Sequence, residues 1–330
     1  MTVLDVKNLR IGFQSGRQIK EAVSGVSFQV KKGRITALVG ESGCGKSASC
    51  LAVTRLLPEP PARLSADAVN FRTSDGTVVN TLALPPRRLR KIRGREIAYI
   101  FQEPSASLNP VMKIKDQIIE VLELCRDDVS DPHSEVLSLL TAVGISDPES
   151  RLNVYPHELS GGMQQRVMIA MALAGNPSLL IADEPTTALD VTIQAQILEL
   201  LEKLCREREM AVLLVTHNLG IVSQLADDVI VMYAGTIVEQ APAAELFADP
   251  RHPYTRALLR AVPKLSRPGE EKQTLESIPG RVPPVGEYPA GCRFAPRCAG
   301  ARECCRKELP EMYSVSGGHF CRCLPELPLC

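Results

Sequence analysis

The fold is decided by the stretch Gly40-Glu41-Ser42-Gly43-Cys44-Gly45-Lys46-Ser47, which fits the pattern G-x-x-x-x-G-K-[ST]. It follows a short run of strand composition, Arg34–Val39, and leads into a helical segment, Lys46–Leu57. Glycines let the backbone curl so that successive N–H groups point inward at phosphate oxygens, and the following helix presents its positive end to the same anion. The stretch therefore predicts a strand, a phosphate-binding loop and a helix in succession.

Two side chains of this loop are expected to carry chemistry. Lys46 should reach the β- and γ-phosphates of ATP, and the hydroxyl of Ser47 should coordinate Mg²⁺. The alternative is a glycine-rich turn that matches the pattern by chance. Its position between a strand and a helix favours the phosphate loop, and we expect the chain to bind and hydrolyse Mg-ATP.

A pair of acids ends a second apolar run, Leu179–Glu184. Asp183 is placed to hold Mg²⁺ through water, and Glu184 can polarise the water that attacks the γ-phosphate. Two acids at the end of a buried strand can also be a solvated strand end. The phosphate loop in the same chain favours the catalytic interpretation.

Two further polar residues follow predicted strands. Gln102 comes after Ile97–Phe101 and is expected to bridge Mg²⁺, the attacking water and a moving segment. His217 ends the strand Val212–Thr216, where its imidazole can hydrogen-bond the γ-phosphate. A histidine at a strand end is more often structural, but ligands bind at the carboxyl ends of parallel strands, which favours a catalytic role.

The composition is that of a soluble protein and disfavours a nucleic-acid binder. The chain has 330 residues, 45% of them apolar and 23% charged, with 38 basic and 38 acidic side chains. A nucleic-acid binder usually shows a basic excess. The apolar runs are only strand-sized, and the N-terminus lacks the apolar core of a secretory signal, so we expect a cytoplasmic protein.

Hydrophobic periodicity predicts a largely parallel, helix-covered sheet. A helical region is expected over about residues 112–172. After Val262 the composition changes to mostly proline, glycine and cysteine, which suggests a domain boundary near residue 263. The other predicted elements are antiparallel strands Val3–Phe13 and Ala22–Val30, a hairpin over Val69–Val79, strand Ser178–Ala182, helix Thr192–Glu207, and a hairpin of Val229–Tyr233 with Thr236–Glu239.

One motif resembles a known family. The run Leu159-Ser160-Gly161-Gly162-Met163-Gln164-Gln165-Arg166 is similar to the signature of ABC ATPases and lies between the phosphate loop and the acid pair, as in that family. The resemblance spans residues 1 to about 262 and implies an ABC-type P-loop α/β domain with a RecA-like core, an antiparallel β subdomain and a helical subdomain. It makes Phe13 the aromatic that stacks on adenine, Gln102 the Q-loop, Ala188-Leu189-Asp190 the D-loop and His217 the switch. It also implies nucleotide contacts from Ser160, Gly161, Gly162, Gln164 and Asp190.

The signature implies a second ATPase subunit. Its N–H groups open a helix whose positive end faces a phosphate, and in this family that phosphate belongs to an ATP held by another ATPase subunit. Only one set of motifs occurs here, so a partner is required. In this group the second ATPase subunit is usually a paralogue, which favours a paralogue over a second copy of this chain.

Other segments narrow the resemblance to the dipeptide/oligopeptide importer ATPases. These segments are Tyr155–Glu158, Thr186–Thr192, Arg251–Leu259, Ile278–Gly280 and Gly291–Cys298. Similarity is densest over Gly144–Tyr254, where the chain is similar to the D-type ATPase of a dipeptide permease. The group implies two transmembrane permease subunits, an external substrate-binding protein, and a peripheral position on the cytoplasmic face of the inner membrane.

Alternatives remain at this point. Nickel complexes, glutathione and antimicrobial peptides are other cargoes of the same group. A non-transport ABC ATPase is disfavoured, because such proteins usually carry two cassettes or a long coiled-coil insertion.

Two positions depart from the group: Asn218 stands where aspartate is usual, and Cys44 where serine is commoner.

Seven of the eleven cysteines lie within Cys292–Cys330. The pattern Cys292-x5-Cys298-x6-Cys305, with Cys323, resembles the importer tail and implies a structural [4Fe–4S] cluster. Zinc, or a tail without metal, remains open. Adjacent Cys304 and near-adjacent Cys321 leave the choice of ligands ambiguous. A redox sensor that gates transport through the tail is a further hypothesis.

Overall fold

The computed structural model describes residues 1–187, 189–262 and 277–323. They divide into two compact units. The first unit comprises Met1–Leu4, Val30–Ile35 and Asn70–Val215. The second comprises Asp5–Gln29, Thr36–Val69 and the described residues from Thr216 onward.

The strands of the described residues are β1 (Thr2–Ser15), β2 (Gln18–Lys31), β3 (Ile35–Val39), β4 (Ala62–Ser65), β5 (Ala68–Arg72), β6 (Val78–Asn80), β7 (Ile97–Ile100), β8 (Leu179–Asp183), β9 (Ala211–Thr216), β10 (Asp228–Tyr233), β11 (Thr236–Pro242), β12 (Tyr313–Ser316) and β13 (His319–Cys321). Every strand predicted from the sequence is present among them.

The α-helices of the described residues are α1 (Lys46–Val53), α2 (Pro86–Ile92), α3 (Pro104–Ser107), α4 (Ile114–Cys125), α5 (Pro132–Ala142), α6 (Pro148–Arg151), α7 (Gly161–Ala174), α8 (Val191–Glu207), α9 (Leu219–Leu225), α10 (Ala243–Ala248), α11 (Pro253–Arg260) and α12 (Glu303–Lys307). Within the ranges described, none of these helices has the length and apolarity to cross a membrane.

The first unit is built on parallel strands. Strand β8 lies between β7 and β9 and pairs with both in parallel register. All five residues of β8 are buried, which explains why the four before Asp183 are all apolar, because strands covered on both faces show no polar alternation. Helix α7 packs against α4, α5 and β7, and the region expected to be helical contains α4 to α7. Hairpin β5–β6 pairs Asn70 with Asn80, as predicted.

Strands of the second unit run in the order β12-β13-β11-β10-β3. Strand β10 pairs in parallel with β3, which leads into the phosphate loop, and antiparallel with β11. The C-terminal strand β13 then pairs antiparallel with β11, with Glu239 opposite Cys321. The same part of the chain therefore carries the phosphate loop and the C-terminal strands.

The sequence after Val262 shows no strand pattern, although β12 and β13 lie within it. Strands of three or four residues are too short to show a legible hydrophobic period. A buried charge also ties the C-terminal hairpin to the sheet. Glu239 is fully buried, and its carboxylate accepts hydrogen bonds from the backbone N–H groups of Arg251 (2.6 Å) and His252 (2.9 Å). The Nε2 of His319 lies 2.8 Å from the same carboxylate.

Helix α1 ends earlier than the predicted Leu57. Thr54 is its C-cap, and Arg55 has a φ of 51°, a left-handed conformation that ends the helix before the first proline, Pro58. The domain boundary expected near residue 263 lies outside the described residues and stays a prediction. In the second unit, β1 and β4 pair antiparallel, with Phe13 opposite Ala62.

Candidate functional site

The phosphate loop lies between β3 and α1, as the sequence predicts. Gly40 has a φ of 154°, and a Cβ there would lie 2.1 Å from the carbonyl oxygen of Met232. Gly45, the N-cap of α1, has a φ of 101°, and a Cβ there would lie 2.8 Å from Val23. Both glycines are therefore required by backbone conformation and by space.

The side chain of Lys46 is held inside this loop. It is buried, and its Nζ donates hydrogen bonds to the carbonyl oxygens of Gly40 (2.7 Å) and Glu41 (3.1 Å). Its ammonium group is thus fixed among the loop's own carbonyls. A cation in this position can bind phosphate oxygens.

Cys44, one of the two departures from the group, is fully buried in the loop. Burial raises the pKa of its thiol, although the nearby charge of Lys46 acts in the opposite direction. The thiol is therefore neutral at physiological pH and adds no negative charge beside the phosphates. Cysteine in place of serine leaves the electrostatics of the loop unchanged.

Glu41 is fixed by residues that the sequence reasoning did not connect with the loop. Its backbone N–H donates to the hydroxyl of Tyr254 at 2.9 Å, and its carboxylate forms an ion pair with Arg297 at 2.6 Å. Tyr254 and Arg297 lie in the segments Arg251–Leu259 and Gly291–Cys298, whose sequences indicate the family and no contact with the loop. No local signal in the sequence indicates that they contact the loop.

In the first unit, the acids Asp183 and Glu184 end strand β8. Asp183 is buried, and Glu184 is half-buried with a φ of 47°. The Oε2 of Glu184 accepts hydrogen bonds from Nε2 of Gln102 (3.2 Å) and from the hydroxyl of Thr187 (2.9 Å). The structure thus brings the predicted Gln102 and Glu184 into direct contact, and it adds Thr187, which was not singled out.

The left-handed backbone of Glu184 is held by sheet geometry. Its N–H donates to the carbonyl oxygen of Val215 at 2.9 Å, which continues the β8–β9 ladder by one residue. A non-glycine residue at positive φ is costly and persists only where its surroundings determine it. The ladder and the two side-chain donors orient this carboxylate.

The signature residues form the start of helix α7. Ser160 is the N-cap, and its side chain accepts a hydrogen bond from the N–H of Met163 at 3.4 Å. Gln164 donates to the carbonyl oxygens of Pro156 (2.8 Å) and Leu159 (3.2 Å), which fixes the turn before the helix.

The signature shares a cleft of about 380 Å³ with the predicted D-loop. Gly162 faces Ile193 so closely that a Cβ would lie 2.9 Å from its Cγ2. Asp190 caps helix α8 by accepting a hydrogen bond from the N–H of Ile193 at 3.0 Å. Ala188, the first residue of the D-loop motif, lies outside the described residues. The residues around this cleft include Ser160, Gly161, Gly162, Leu189, Asp190 and Ile193.

His217 and Phe13, both in the second unit, are accessible to a ligand. His217 is exposed directly after β9, and Phe13 is half-buried on β1. Asn218 caps helix α9, because its side chain accepts hydrogen bonds from the N–H groups of Gly220 (3.0 Å) and Ile221 (3.4 Å). Asparagine and aspartate cap helices equally well, which explains why this departure is tolerated.

The cysteines of the tail lie near one another. The N–H of Cys292 donates to the carbonyl oxygen of Cys305 at 2.7 Å. Burial, with smaller contributions from Cys292, Cys298 and Cys305, raises the pKa of Cys323 to about 11. Within residues 1–187, 189–262 and 277–323, no three His, Cys, Asp or Glu side chains converge closely enough to hold a single metal ion.

Two family models match the chain. Residues 23–187 match the model described as ABC transporter, and residues 238–305 match the model described as oligopeptide/dipeptide transporter, C-terminal region. Among similar proteins, the dipeptide transport ATP-binding protein DppD of Haemophilus influenzae is 47% identical over 96% of this chain and 93% of its own. The chain belongs to the ABC transporter ATP-binding proteins of the oligopeptide/dipeptide family.

Other relatives agree with this family. The oligopeptide transport ATP-binding protein OppD of Bacillus subtilis is 46% identical over 96% of this chain and 87% of its own. An ATP-binding cassette solved as a dimer with ADP and Pi superposes with a TM-score of 0.63 at 27% identity, covering 73% of this chain and 98% of that chain. The ABC-type P-loop α/β fold expected from the sequence is confirmed.

This oligopeptide/dipeptide family member is therefore the ATP-binding subunit of a peptide importer, and it is an ABC ATPase whose ATP hydrolysis is coupled to transport. The sequence prediction of a peptide-importer ATPase is confirmed. The alternative of an ABC ATPase without a transport role is wrong.

Proposed function

We propose that the motif residues divide the hydrolysis of Mg-ATP among them as the sequence predicts. Lys46 binds the β- and γ-phosphates, Ser47 coordinates Mg²⁺, and Asp183 holds the ion through water. Glu184 polarises the attacking water, while Gln102 and His217 contact the water, the ion or the γ-phosphate. The observation that carries this proposal is the carboxylate of Glu184, oriented by two hydrogen bonds on one oxygen.

The remaining contacts complete the proposal for the nucleotide. The backbone of the loop Gly40–Ser47 surrounds the phosphates and Phe13 stacks on adenine. The cleft beside Ser160, Gly161, Gly162 and Asp190 receives an ATP held by a second ATPase subunit, a paralogue of this chain. Support comes from the capped start of α7, whose first residues Gly161 and Gly162 line this cleft, and from the relative that was solved as a dimer.

We propose further that the pair of ATPase subunits acts at the cytoplasmic face of the inner membrane. There it drives two permease subunits that receive dipeptides or oligopeptides from an external binding protein. Cargo is chosen by those partners, so growth on dipeptides as the amino-acid source, with and without the gene, separates peptide import from uptake of nickel complexes or glutathione.

Binding of MgATP to the full-length chain tests the role of the phosphate loop. Lys46→Ala should weaken binding by more than about tenfold, because it removes the cation that faces the phosphates. Lys203→Ala is the matched control, since Lys203 is an exposed lysine on α8. Equal affinities for the two variants would refute the role of Lys46.

The tail cysteines support a second proposal, that Cys292, Cys298, Cys305 and Cys323 hold a structural [4Fe–4S] cluster. Each of the first three raises the pKa of Cys323, so the four thiols lie within electrostatic reach of one another. Four thiolates also suit a zinc ion, so analysis of the bound metal decides between the two. A [4Fe–4S] cluster would take these four cysteines as thiolate ligands and would place positive charge among them.

Iron and sulfide analysis of anaerobically purified protein tests this proposal. Cys292→Ser should lose bound iron and the visible absorbance of the cluster. Cys304→Ser should retain both, since Cys304 is not among the four. If the wild-type protein contains no iron, the proposal of a cluster is refuted. If the cluster is present, unchanged ATPase activity in Cys292→Ser would argue against a redox gate.

A further inference from the structure

Arg297 contacts the phosphate loop although it lies in the C-terminal region, outside every nucleotide motif. It ends the short 3-10 helix Ala295–Arg297. Its Nη1 donates to Oε2 of Glu41 at 2.6 Å, and its Nη2 donates to Oε1 of the same carboxylate at 3.1 Å. Such a two-point contact fixes the orientation of both partners. Both residues belong to the second unit.

All three nitrogens of the Arg297 guanidinium group donate hydrogen bonds. Its side chain is only 5% exposed. Besides Glu41, it donates from Nε to the carbonyl oxygen of Pro279 (2.8 Å), from Nη1 to the hydroxyl of Tyr233 (3.3 Å), and from Nη2 to the carbonyl oxygen of Ile278 (3.2 Å). Every N–H group of the fork therefore has an acceptor, and the side chain has one defined position.

Glu41 is held at its backbone as well. Its N–H donates to Tyr254, and its carbonyl oxygen accepts from Lys46 at 3.1 Å. Tyr254 is fully buried, and its ring contacts those of Tyr233 (4.5 Å between centroids) and Phe294 (5.3 Å). The aromatic cluster beneath the loop therefore joins residues of the C-terminal region to the backbone of Glu41.

The charge of Glu41 is unfavourable in a loop that receives a triphosphate. A carboxylate next to Gly40 repels phosphate oxygens, and the neighbouring Cys44 is neutral. The ion pair with Arg297 neutralises this charge. It also holds the carboxylate of Glu41 toward the C-terminal region. The loop then presents Lys46 and its backbone N–H groups to the nucleotide without an opposing charge.

We propose that Arg297 is a positioning residue for ATP binding, which acts by neutralising and orienting Glu41 of the phosphate loop. The C-terminal region thereby becomes part of the nucleotide site. This inference rests on the proposed role of the loop Gly40–Ser47 in binding phosphates.

A double-mutant cycle on the full-length chain, with MgATP affinity as the readout, tests the proposal. Arg297→Gln should bind MgATP about tenfold more weakly, the effect of one uncompensated charge about 10 Å away at an effective dielectric constant near 20. Whatever the affinity of Glu41→Gln alone, adding Arg297→Gln to that variant should cause no further weakening, because no carboxylate charge is left for Arg297 to neutralise. The kcat at saturating ATP should not change, because Arg297 does not contact the reacting atoms.

Arg306→Gln is the matched control, because Arg306 is an exposed arginine of the same region. The proposal is overturned if Arg297→Gln binds as well as this control, or if it still weakens binding about tenfold in the Glu41→Gln background. The second result would mean that Arg297 only anchors Pro279 and Ile278.

Two further variants cover the case that Arg297→Gln does not fold and the case that the phosphate loop itself does not bind ATP. If Arg297→Gln does not fold, Arg297→Lys takes its place. Lysine keeps the positive charge but cannot make the two-point contact with Glu41, so MgATP binding should weaken, and an affinity equal to that of Arg306→Lys would overturn the proposal. Lys46→Ala is measured alongside. If it also retains full affinity, the role of the phosphate loop fails; if only Arg297→Gln retains affinity, the present inference alone fails.

Discussion

Gln102 donates a hydrogen bond from Nε2 to Oε2 of Glu184 at 3.2 Å. The contact follows from strand register. Ile100 of β7 lies opposite Ala182 of β8 in a parallel pair, so the residues just beyond the two strands emerge at the same edge of the sheet. A displacement of Gln102 would therefore remove a hydrogen bond from the carboxylate proposed to activate water.

Replacing Glu184 with glutamine should separate hydrolysis from binding. We expect phosphate release to fall by at least about 100-fold, the usual contribution of a general base, while MgATP affinity is retained. With ATP bound and not turned over, the variant should also form the closed pair of ATPase subunits more persistently. Phosphate release and size-exclusion chromatography with ATP measure the two effects. Glu199→Gln, an exposed change on α8, is the control, and wild-type hydrolysis in Glu184→Gln would refute the role.

Thr187 should influence catalysis through Glu184. Thr187→Val keeps the shape of the side chain and removes the hydroxyl that donates to Oε2 at 2.9 Å. We expect kcat to fall about fivefold, the effect of one hydrogen bond worth ~1 kcal/mol, with an unchanged KM for ATP. Steady-state ATPase kinetics measure both. Thr192→Val, at an exposed position, should have no effect, and an unaltered kcat in Thr187→Val would show that Gln102 and the backbone suffice to orient Glu184.

Gly162 should be required by the shape of the signature cleft. In Gly162→Ala the new methyl group would lie 2.9 Å from Cγ2 of Ile193, so the side chain of Ile193 or the helices that carry the two residues must shift at the cleft. We expect ATPase activity of the assembled subunits to fall about tenfold, with ATP binding to the separate chain unchanged, since a shift of about 1 Å can cost more than this. Gly300→Ala is the control, because a Cβ at Gly300 meets nothing within 4 Å. Full activity in Gly162→Ala would mean that the cleft tolerates repacking.

His252 should make the fold sensitive to acid. Burial, with a smaller contribution from Arg322, lowers its pKa to about 3, so the imidazole is neutral in the folded protein. An unfolded histidine takes up a proton near pH 6.5. The stability due to the neutral imidazole is therefore complete above about pH 6.5 and declines by about 1.4 kcal/mol per pH unit below it, until about pH 3.

Urea unfolding at pH 7.5 and 5.5 measures this slope. His252→Asn keeps a side-chain acceptor for the N–H of Tyr254, which His252 caps at 3.1 Å, and removes the titrating ring. The wild type should lose about 1.4 kcal/mol more than this variant between the two pH values. His133→Asn, at an exposed site, should keep the wild-type slope. Equal slopes for wild type and His252→Asn would show that another group causes the acid sensitivity.

Much of the nucleotide-binding part could be predicted from the sequence because its signals are local. The glycines of Gly40–Ser47 determine backbone conformation within eight residues, and the apolar run Leu179–Ala182 is legible as a buried strand. The contact of Gln102 with Glu184 also follows, since both residues end neighbouring strands.

The contacts that fix Glu41 could not be predicted in the same way. Arg297 reaches the loop across 256 positions of the sequence, and Tyr254 across 213. No periodicity or spacing links residues so far apart. Strands β12 and β13 were missed for a related reason, because their few residues are ordered by pairing with β11 and not by their own pattern.

The buried carboxylate of Glu239 limits how this protein can be divided or recombined. One of its partners, His319, is supplied by the C-terminal hairpin, and the same hairpin covers the edge of β11. A cassette ending at residue 262 would keep a buried anion short of one donor and an open strand edge available for aggregation. Chimeras between members of the family should therefore exchange Glu239 and His319 together, with the tail as an inseparable part of the cassette.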